Sequence, residues 1–557
     1  MKNEPPNDEL ESRVRELVMA RDEGRRELSE LLRTNEQARP LAAKALFEEA
    51  ALISQLRIDS VKEWAENLRP RRVPEEAIPD GREIAWWRKN RRPLVTTLAA
   101  AACVMLSVWI YRKNPVPADT RIVQPTMKNE GSIGWVRRVE GEATSSQAKA
   151  LAKDGTLDLG NERIRVDLDN GVVLSVTGPA RLRIALKGCR LWSGQVSVDV
   201  PKDLATYVVD TDNGRFVDLG TSFSVAVQPG ERTEMAVLSG MVRAERISNE
   251  GDILSEQLVR KSEGVVLDRT AGEIRSVGAG ELDHQRPINL EDVALPVPAA
   301  YREAVESSKP LLVWDFENLG NDSIIINRAG PAMAGVVRGN LRIQQNEKGG
   351  GHIVLGENDA AGWVETADPW RKNDADPFTI EMWARPDRVH WGHLLNLRVE
   401  NSLDPVTKHK PLGPLSYFAM EFTHSREFLP LPMEPSIRCI FRSPATEHPL
   451  DTTAGGLNSM LVSPTRYIPG KWYHLVARVD RQEFALFVDG EPVARQSVQR
   501  PDLGEQELML RLGCMRHRIA NNRQFIGAID EFAIYPRALS DTEILEHFRT
   551  MVGGGSR

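Results

Sequence analysis

The chain has 557 residues, a formal net charge of −7 and 27% charged residues. This length predicts about three or four folded units. The mild acidity argues against a general nucleic-acid-binding surface, so no direct nucleic-acid partner is expected. The four cysteines lie far apart with no CxxC pattern, so the sequence implies neither a zinc cluster nor a dense disulfide framework. Cys439 and Cys514 could still form one pair, or both could be buried thiols.

The first 68 residues are predicted to form a small helical segment. The apolar side chains of the first helix follow the spacing i, i+4, i+7 and i+8: Leu10, Val14, Leu17 and Val18. A second helix is predicted to begin at Pro40, with Leu46 and Phe47 on its apolar face. Two or three short helices make a marginal core by themselves. Two alternatives therefore stay open, a self-contained bundle or a surface on which Leu46 and Phe47 contact a partner protein.

A basic linker, residues 69–93, precedes an uncharged run from Leu94 to Tyr111. Its 18 residues would span about 27 Å as a helix, close to the hydrocarbon thickness of a bilayer. We therefore predict one transmembrane helix; a buried core helix is the alternative. More basic residues precede the run than follow it, which places the N-terminus in the cytoplasm. The prediction is a single-pass protein of the cytoplasmic membrane with its C-terminal domains outside.

Residues 131–275 change to short alternating strands separated by Gly, Asn and Asp turns, which predicts an all-β domain. In the first hairpin, Ile164, Val166 and Leu168 are predicted to share one face. The DNG turn then leads into a returning strand. Five glycines are interpreted as turn residues that need positive φ, with recognition loops as the alternative: Gly178, Gly194, Gly214, Gly220 and Gly240.

Several segments of this domain resemble the FecR family, especially its planctomycete and verrucomicrobial membrane proteins. The segments are GVVLSVTGPARLRI, LWSGQVSVDVP, YVVDTDNGRFVDLGTSFSV and VLSGMVRAE, and DLGTSFSV (Asp218 to Val225) is the most specific. The resemblance implies a periplasm-facing regulator that spans the inner membrane once and controls an extracytoplasmic-function sigma factor through its cytoplasmic segment. The N-terminal segment lacks the His/Cys spacing of zinc-bearing anti-sigma domains, so no metal is expected there.

A linker, residues 276–307, leads to a second external β domain, residues 308–550. FTIEMWARP alternates as a half-buried strand, with Phe378 and Ile380 on one face. Asp489–Gly490 predicts a hairpin turn. In the strand after Trp472, alternate residues from Tyr473 share one face. Residues 400–465 are interpreted as a long insertion that carries a few strands.

LLVWDFENLG, KWYHLVARVDRQEFALFVDGEPVAR and IGAIDEFAIYPRALSDTEILEHF resemble the laminin-G-like, concanavalin A-like jelly-roll family. The resemblance implies two antiparallel sheets packed face to face. The predicted fold class is therefore mainly β, comprising a small N-terminal helical segment, one transmembrane helix, a FecR-like β domain and a concanavalin A-like β-sandwich.

The second domain lacks the carboxylate pairs that glycoside hydrolysis needs. Glu381 is followed two and four residues later by Trp383 and Arg385, and Glu421 stands alone. No GxSxG motif supports serine catalysis. The sequence therefore predicts no enzyme activity.

Ligand binding by this domain is the favoured hypothesis. Exposed aromatic rings stack on sugars, and the candidates are Trp363, Trp370, Trp383 and Trp391, with core packing as the alternative. No cofactor is certain. The resemblance implies a structural Ca²⁺ in some members, for which Asp530 and Asp315 are the candidate ligands. The alternative for Asp530 is a hairpin cap.

The leading hypothesis is a FecR-like transmembrane regulator whose jelly roll binds a glycan or protein ligand and whose cytoplasmic helices bind a sigma factor. The alternative is a membrane-anchored envelope adhesin without sigma-factor regulation. A membrane-tethered glycosidase is disfavoured by the missing carboxylate pair.

Overall fold

The computed structural model of the protein describes residues between 131 and 553. The segments left out within this span are 141–142, 145–146, 154, 202–203, 205, 229–231, 249–251, 269–272, 283–286, 291, 318–323, 346–349, 358–359, 400–414, 425–433, 447–457, 499–503 and 516–522. The predicted N-terminal helices with Leu46 and Phe47, the basic linker and the apolar run Leu94–Tyr111 lie outside the described residues. Within those residues, no helix combines the length and apolar character needed to cross a membrane.

The first domain is one 15-stranded sheet in its described part, antiparallel except between β7 and β8. Its strands are β1 (Ser132–Glu140), β2 (Ala143–Thr144), β3 (Lys149–Ala152), β4 (Thr156–Leu159), β5 (Arg163–Leu168), β6 (Val173–Ala185), β7 (Gly188–Asp199), β8 (Val208–Asp210), β9 (Arg215–Asp218), β10 (Ser222–Gln228), β11 (Arg232–Ser239), β12 (Met241–Ile247), β13 (Ile253–Arg260), β14 (Glu263–Asp268) and β15 (Ile274–Gly278). A 3₁₀ turn, Ala279–Glu281, follows the last strand.

The hairpin between β5 and β6 confirms the predicted alternation. Ile164, Val166 and Leu168 all lie in the hydrophobic core of this domain. Gly171 turns the chain with φ +90°, a conformation that a side chain at this position would strain. Residues from β1 to β14 contribute apolar side chains to this single core.

The second domain has two sheets with one helix before them and one after in the described residues. Its elements are α1 (Ala299–Ser307), β16 (Leu312–Trp314), β17 (Ile324–Ile325), β18 (Gly335–Gly339), β19 (Arg342–Gln345), β20 (Gly351–Leu355), β21 (Gly362–Thr366), β22 (Trp370–Asn373), β23 (Phe378–Pro386), β24 (Gly392–Val399), β25 (Leu415–Phe422), β26 (Ile437–Thr446), β27 (Asn458–Val462), β28 (Tyr473–Val479), β29 (Glu483–Val488), β30 (Glu491–Ser497), β31 (Glu505–Leu512), β32 (Gly527–Tyr535) and α2 (Asp541–Gly553).

Both sheets of this domain are antiparallel and enclose one large core. The helix-side sheet has the order β19-β20-β32-β23-β28-β29-β30, and the opposite sheet has the order β17-β18-β21-β31-β24-β25-β26-β27. The predicted hairpin at Asp489–Gly490 is present between β29 and β30. Both turn residues have positive φ, 53° and 78°, as a tight two-residue turn requires.

One detail of the sequence interpretation is wrong. The strand β23 is buried along its whole length, whereas a half-buried strand was expected. The helices cause this, because α1 and α2 pack on the outer face of the helix-side sheet and form a second apolar cluster with Trp383. The segment 400–465 carries a few strands, as predicted. It contributes β25, β26 and β27 to the opposite sheet, and Phe418 and Phe441 from these strands lie in the main core.

Buried arginines join the two β domains. On the outer face of β5, Arg165 pairs with Asp167 at 2.7 Å. The same guanidinium donates to the carbonyl of Ile288 at 2.7 Å and to that of Asp387 at 2.8 Å. Arg165 is only 4% exposed, because residues of the linker and the second domain cover a face that would otherwise be solvated.

Two arginines of the second domain make the reciprocal contacts. Arg388 pairs with Asp199 at 2.9 Å and donates to the carbonyl of Gly171 at 2.7 Å. Arg466 pairs with Asp169, and its guanidinium lies 5.4 Å from the ring centre of Trp135. These contacts define the interdomain arginine interface, which is polar and buried around Arg165 and Arg466 and part-buried around Arg388.

Replacing Arg165 with Ala should destabilise the protein by about 3 kcal/mol, because Asp167 and two backbone carbonyls lose a buried partner. Urea unfolding monitored by fluorescence measures the change. The control is Arg190→Ala, which removes an exposed partner of Asp212 and should change the stability by less than about 1 kcal/mol. Equal effects of the two substitutions would contradict a structural role for this interface.

Candidate functional site

The outer face of the opposite sheet carries charged and aromatic side chains. Alternate residues of its strands point away from the core, and their register forms rows across the sheet. One row crosses four strands and contains Glu365, Arg511, Asn396 and Ala419. A neighbouring row contains His393, Glu421 and Arg438. We call this surface the polar face.

One end of the polar face is built around Trp363 on β21. The guanidinium of Arg511 lies 4.7 Å from the Trp363 ring centre, a cation–π distance. Glu365 accepts hydrogen bonds from Arg398 at 2.6 Å and from Arg511. These two arginines therefore hold the pKa of Glu365 below its usual value, although burial acts in the opposite direction.

The other end is built around Glu421, a fully buried carboxylate on β25. It accepts hydrogen bonds from Trp391 Nε1 at 2.8 Å and from Arg438, and His393 Nε2 lies 2.8 Å from it. Burial raises the pKa of Glu421, but Arg438, His393 and Arg523 lower it more strongly, so the carboxylate is charged. Trp391 lies in this cluster with the Arg523 guanidinium 4.2 Å from its ring centre.

Arg442 on β26 is a buried cation whose Nε has no hydrogen-bond partner among the described residues. Its side chain is 3% exposed, and burial lowers the pKa of its guanidinium to about 10. Glu421 partly offsets this shift, while Arg438 and Arg523 add to it. The polar face therefore has more cationic than anionic groups around Arg442, an arrangement that suits an anionic ligand group.

The sequence analysis missed this arginine cluster. A signal was present, because the strand IRCIFRS alternates Arg438 and Arg442 with apolar residues that enter the core. Alternation alone predicts a solvated polar face, however. It does not show that the neighbouring strands would bring Glu421 and Trp391 beside these arginines.

The other buried carboxylate, Glu381 on β23, lies under the helices. It accepts hydrogen bonds from Tyr535 at 2.7 Å and from Tyr301 at 3.3 Å. His474 and His547 lie 2.7 Å and 2.9 Å from its oxygens. Burial raises the pKa of Glu381, but the two histidines lower it well below its usual value.

Glu381 and Glu421 are therefore both anionic, and each accepts hydrogen bonds from several neighbouring side chains. A glycosidase acid needs a carboxyl group with a raised pKa that can give up a proton. These two side chains lie on different sheets, and neither meets that requirement.

The structure buries three of the four tryptophans predicted to stack on a ligand. Trp370 and Trp383 are 5% and 3% exposed, and Trp383 stacks on Phe548. Their rings pack against protein, as the alternative interpretation expected. Trp391 is buried within the polar face, and Trp363 is half-buried at its other end. The ligand-binding role stays a prediction for Trp363 and Trp391.

Of the two predicted calcium ligands, Asp315 directly follows β16 and Asp530 lies on the adjacent strand β32, and their role as ligands stays a prediction. Asp315 accepts hydrogen bonds from Arg328 and from the amide of Glu317, both at 3.2 Å. Burial and the neighbouring Glu531 raise the pKa of Asp530, which favours its neutral form. In the described parts of the chain, no group of three or more His, Cys, Asp or Glu side chains is arranged to hold a metal.

The two cysteines of the second domain do not form a disulfide. Cys439 and Cys514 are both buried free thiols. Burial raises the pKa of Cys514 to about 11, which keeps this thiol protonated.

Family comparisons agree with the two β domains described above. Residues 156–243 match the model of the FecR protein family, and residues 440–545 match the model of the concanavalin A-like lectin/glucanases superfamily. The chain therefore carries a FecR domain and a concanavalin A-like, laminin-G-type domain, which confirms both resemblances. Neither family is in general enzymatic. No curated protein sequence matches the chain.

Solved structures that match parts of this chain share little sequence with it. Domain 4 of AbnA, a GH43 extracellular arabinanase from Geobacillus stearothermophilus solved with arabinotriose, is 14% identical, with a TM-score of 0.29 over 43% of this chain and 98% of that one. The botulinum neurotoxin serotype D binding domain solved with N-acetylneuraminic acid is 14% identical, with a TM-score of 0.30 over 44% of this chain and 52% of that one. A putative anti-sigma factor from Parabacteroides distasonis is 20% identical, with a TM-score of 0.20 over 22% of this chain and 59% of that one.

The stability of the second domain should depend on pH through His547. Burial lowers the pKa of His547, but Glu381 raises it further, so the folded value lies above the usual one. The stabilisation is therefore present below the unfolded-state pKa and is lost as the pH rises through the folded-state pKa. We expect the thermal midpoint to fall as the pH rises from the usual histidine pKa through the higher folded-state pKa of His547.

The His547→Gln variant should show a flatter profile over this range, measured by differential scanning fluorimetry. His424→Gln is the control, because it removes an imidazole outside the Glu381 network and should keep the wild-type slope. A wild-type slope in His547→Gln would show that another group causes the pH dependence.

Proposed function

We propose that the protein is a membrane-anchored FecR-like regulator whose concanavalin A-like domain binds an external ligand. The observation that carries the proposal is the interdomain arginine interface, which attaches a binding fold to a FecR domain through buried, paired charges. A loosely tethered adhesin module does not need such an interface. A regulator needs such an interface, because ligand binding in one domain has to affect the other domain.

The polar face is the proposed ligand site, and its chemistry favours an anionic carbohydrate. A buried guanidinium without an acceptor destabilises the folded state, and a carboxylate or sulfate group on a ligand would supply that acceptor. Arg442 is the group in this position. On the same face, the half-buried Trp363 offers an indole against which a sugar ring can pack.

Replacing Arg442 with Met should stabilise the protein by about 1 kcal/mol or more, since it removes a buried charge that lacks a partner. The same variant should lose binding to an anionic polysaccharide. Thermal unfolding and isothermal titration calorimetry on the full chain test both parts. The titrants are polygalacturonate for carboxylates, dextran sulfate for sulfates and linear arabinan as the neutral polymer.

Arg511→Met is the matched control, because Arg511 is paired with Glu365 and its loss should destabilise the protein. Wild-type affinity of Arg442→Met for whichever anionic polymer binds would contradict the proposed site. Absence of binding to both anionic polymers would favour a protein ligand over a carbohydrate.

Membrane anchoring and sigma-factor binding are the other parts of the proposal. The uncharged run Leu94–Tyr111 supports a single transmembrane helix, and the excess of basic residues before it supports a cytoplasmic N-terminus. The N-terminal helices would then lie in the cytoplasm, where a sigma factor is available. The apolar positions Leu46 and Phe47 are the proposed contacts.

A sigma factor should co-purify with the full-length protein from detergent-solubilised membranes of the native organism. The double variant Leu46→Asp/Phe47→Asp should lose it, because two charges would have to be buried in the contact. Lys44→Ala, which leaves Leu46 and Phe47 unchanged, should retain it. Mass spectrometry of the captured proteins reads out the result.

If the wild-type protein recovers no sigma factor, the adhesin hypothesis would replace the regulator hypothesis. In that case the polar face would still bind its ligand, but the N-terminal segment would serve only as an anchor.

A further inference from the structure

The loop 387–391, between β23 and β24, contacts the FecR domain at its first residues. The carbonyl of Asp387 accepts a hydrogen bond from Arg165 at 2.8 Å. The next side chain, Arg388, bonds to Asp199 and to the carbonyl of Gly171. The loop therefore contributes a large share of the interdomain arginine interface.

The last residue of the same loop belongs to the polar face. Trp391 donates from its indole nitrogen to Glu421, and the guanidinium groups of Arg523 and Arg438 lie 4.2 Å and 5.0 Å from its ring centre. The span from the FecR contacts to the proposed ligand site is thus only five residues long.

Tyr467 and His390 brace the middle of the loop. The Tyr467 hydroxyl lies 3.0 Å from the amide nitrogen of His390 and 3.2 Å from its carbonyl oxygen. The His390 ring has one contact within the loop and one outside it, since Nδ1 lies 2.9 Å from the carbonyl oxygen of Arg388 and Nε2 accepts from the amide of Ile526, next to β32. These bonds connect the loop to Tyr467 and to the residue before β32.

Tyr467 and its neighbour Arg466 also contact the FecR domain. The carbonyl of Tyr467 accepts a hydrogen bond from the Trp135 indole at 3.1 Å, and the preceding Arg466 pairs with Asp169. A displacement of Trp391 would therefore be transmitted through two routes, along the backbone to Arg388 and across the hydroxyl of Tyr467 to Trp135.

We propose that loop 387–391, braced by Tyr467, couples the polar face to the FecR domain. The proposal rests on the proposed function, because it takes the polar face as the ligand site. A contiguous chain of buried hydrogen bonds between two sites can carry such coupling, provided that a change at one site alters the other. A ligand that draws Arg438 or Arg523 away from Trp391 would release the loop from one of its two anchors.

Hydrogen–deuterium exchange of the full-length protein tests this coupling without a ligand. Trp391→Phe keeps an aromatic ring but removes the hydrogen bond to Glu421. It should accelerate exchange about fivefold or more in FecR-domain peptides that cover β1 and residues 163–172. Trp363→Phe is the matched control, because Trp363 lies at the other end of the polar face and has no described contact with the loop.

The control should leave exchange in the FecR domain at the wild-type rate. Acceleration confined to β24, β25 and β26 in Trp391→Phe would overturn the proposal, since the perturbation would then stop within the second domain. Equal acceleration in both variants would also overturn it, because this result indicates general destabilisation.

A second variant separates the brace from the rest of the fold. Tyr467→Phe keeps the ring and removes only the hydroxyl that bonds to His390. In this background Trp391→Phe should add little further exchange in the FecR domain. A full additional acceleration would show that Tyr467 is not part of the coupling. The experiment involves neither sigma factor nor polysaccharide, so its failure is distinguishable from failure of the proposed function.

Discussion

The pairing of arginines across the two β domains is the constraint on which the rest of the structure depends. A guanidinium removed from water destabilises the fold unless acceptors surround it, and here carboxylates and backbone carbonyls of both domains provide them. Arg165 illustrates the point, since its partners come from its own strand, from the linker and from the second domain. Separation of the domains would leave these groups without their partners, so the FecR and concanavalin A-like domains form a single structural unit.

The same rule explains the interior of the second domain. Glu381, on the helix-side sheet, and Glu421, on the opposite sheet, are both fully buried. Cationic or hydroxyl donors keep both carboxylates in the anionic form. Glu381 ties α1 and α2 to the helix-side sheet through Tyr301 and His547. Glu421 organises the polar face instead. Arg442 does not follow the rule that a buried charge is paired, because its Nε has no hydrogen-bond partner among the described residues. Such unpaired buried groups are expected at functional sites.

Local patterns in the sequence predicted the fold well where one face of a strand meets a core. The alternation of Ile164, Val166 and Leu168 and the Asp489–Gly490 turn needed only chain-local physics, and both are present. The prediction failed for β23 because its second face is covered by helices from distant parts of the chain. Alternation reports which residues can face a core, and it cannot report what later covers the other face.

The candidate site was predicted less well for a related reason. Sequence reasoning selected aromatic residues one at a time, and Trp370 and Trp383 turned out to be packing residues. The arginines of the polar face come from β24, β26, β31 and the segment before β32, and only strand order brings them together. The interdomain contacts were equally invisible, because Arg165 and Asp167 look like ordinary solvent-facing residues in an alternating strand.

The sequence distance across the interdomain interface has a consequence for how the protein is assembled. Trp135 and Tyr467 are 332 residues apart, so at ordinary synthesis rates the first waits about 20 to 70 s for the second. An apolar surface left open for that time would invite aggregation. The face around Arg165 and Asp167 is charged, and water can solvate it until its partner has been made. The charged face of the FecR domain can thus stay hydrated until the second domain covers it. An apolar face of the same area could not.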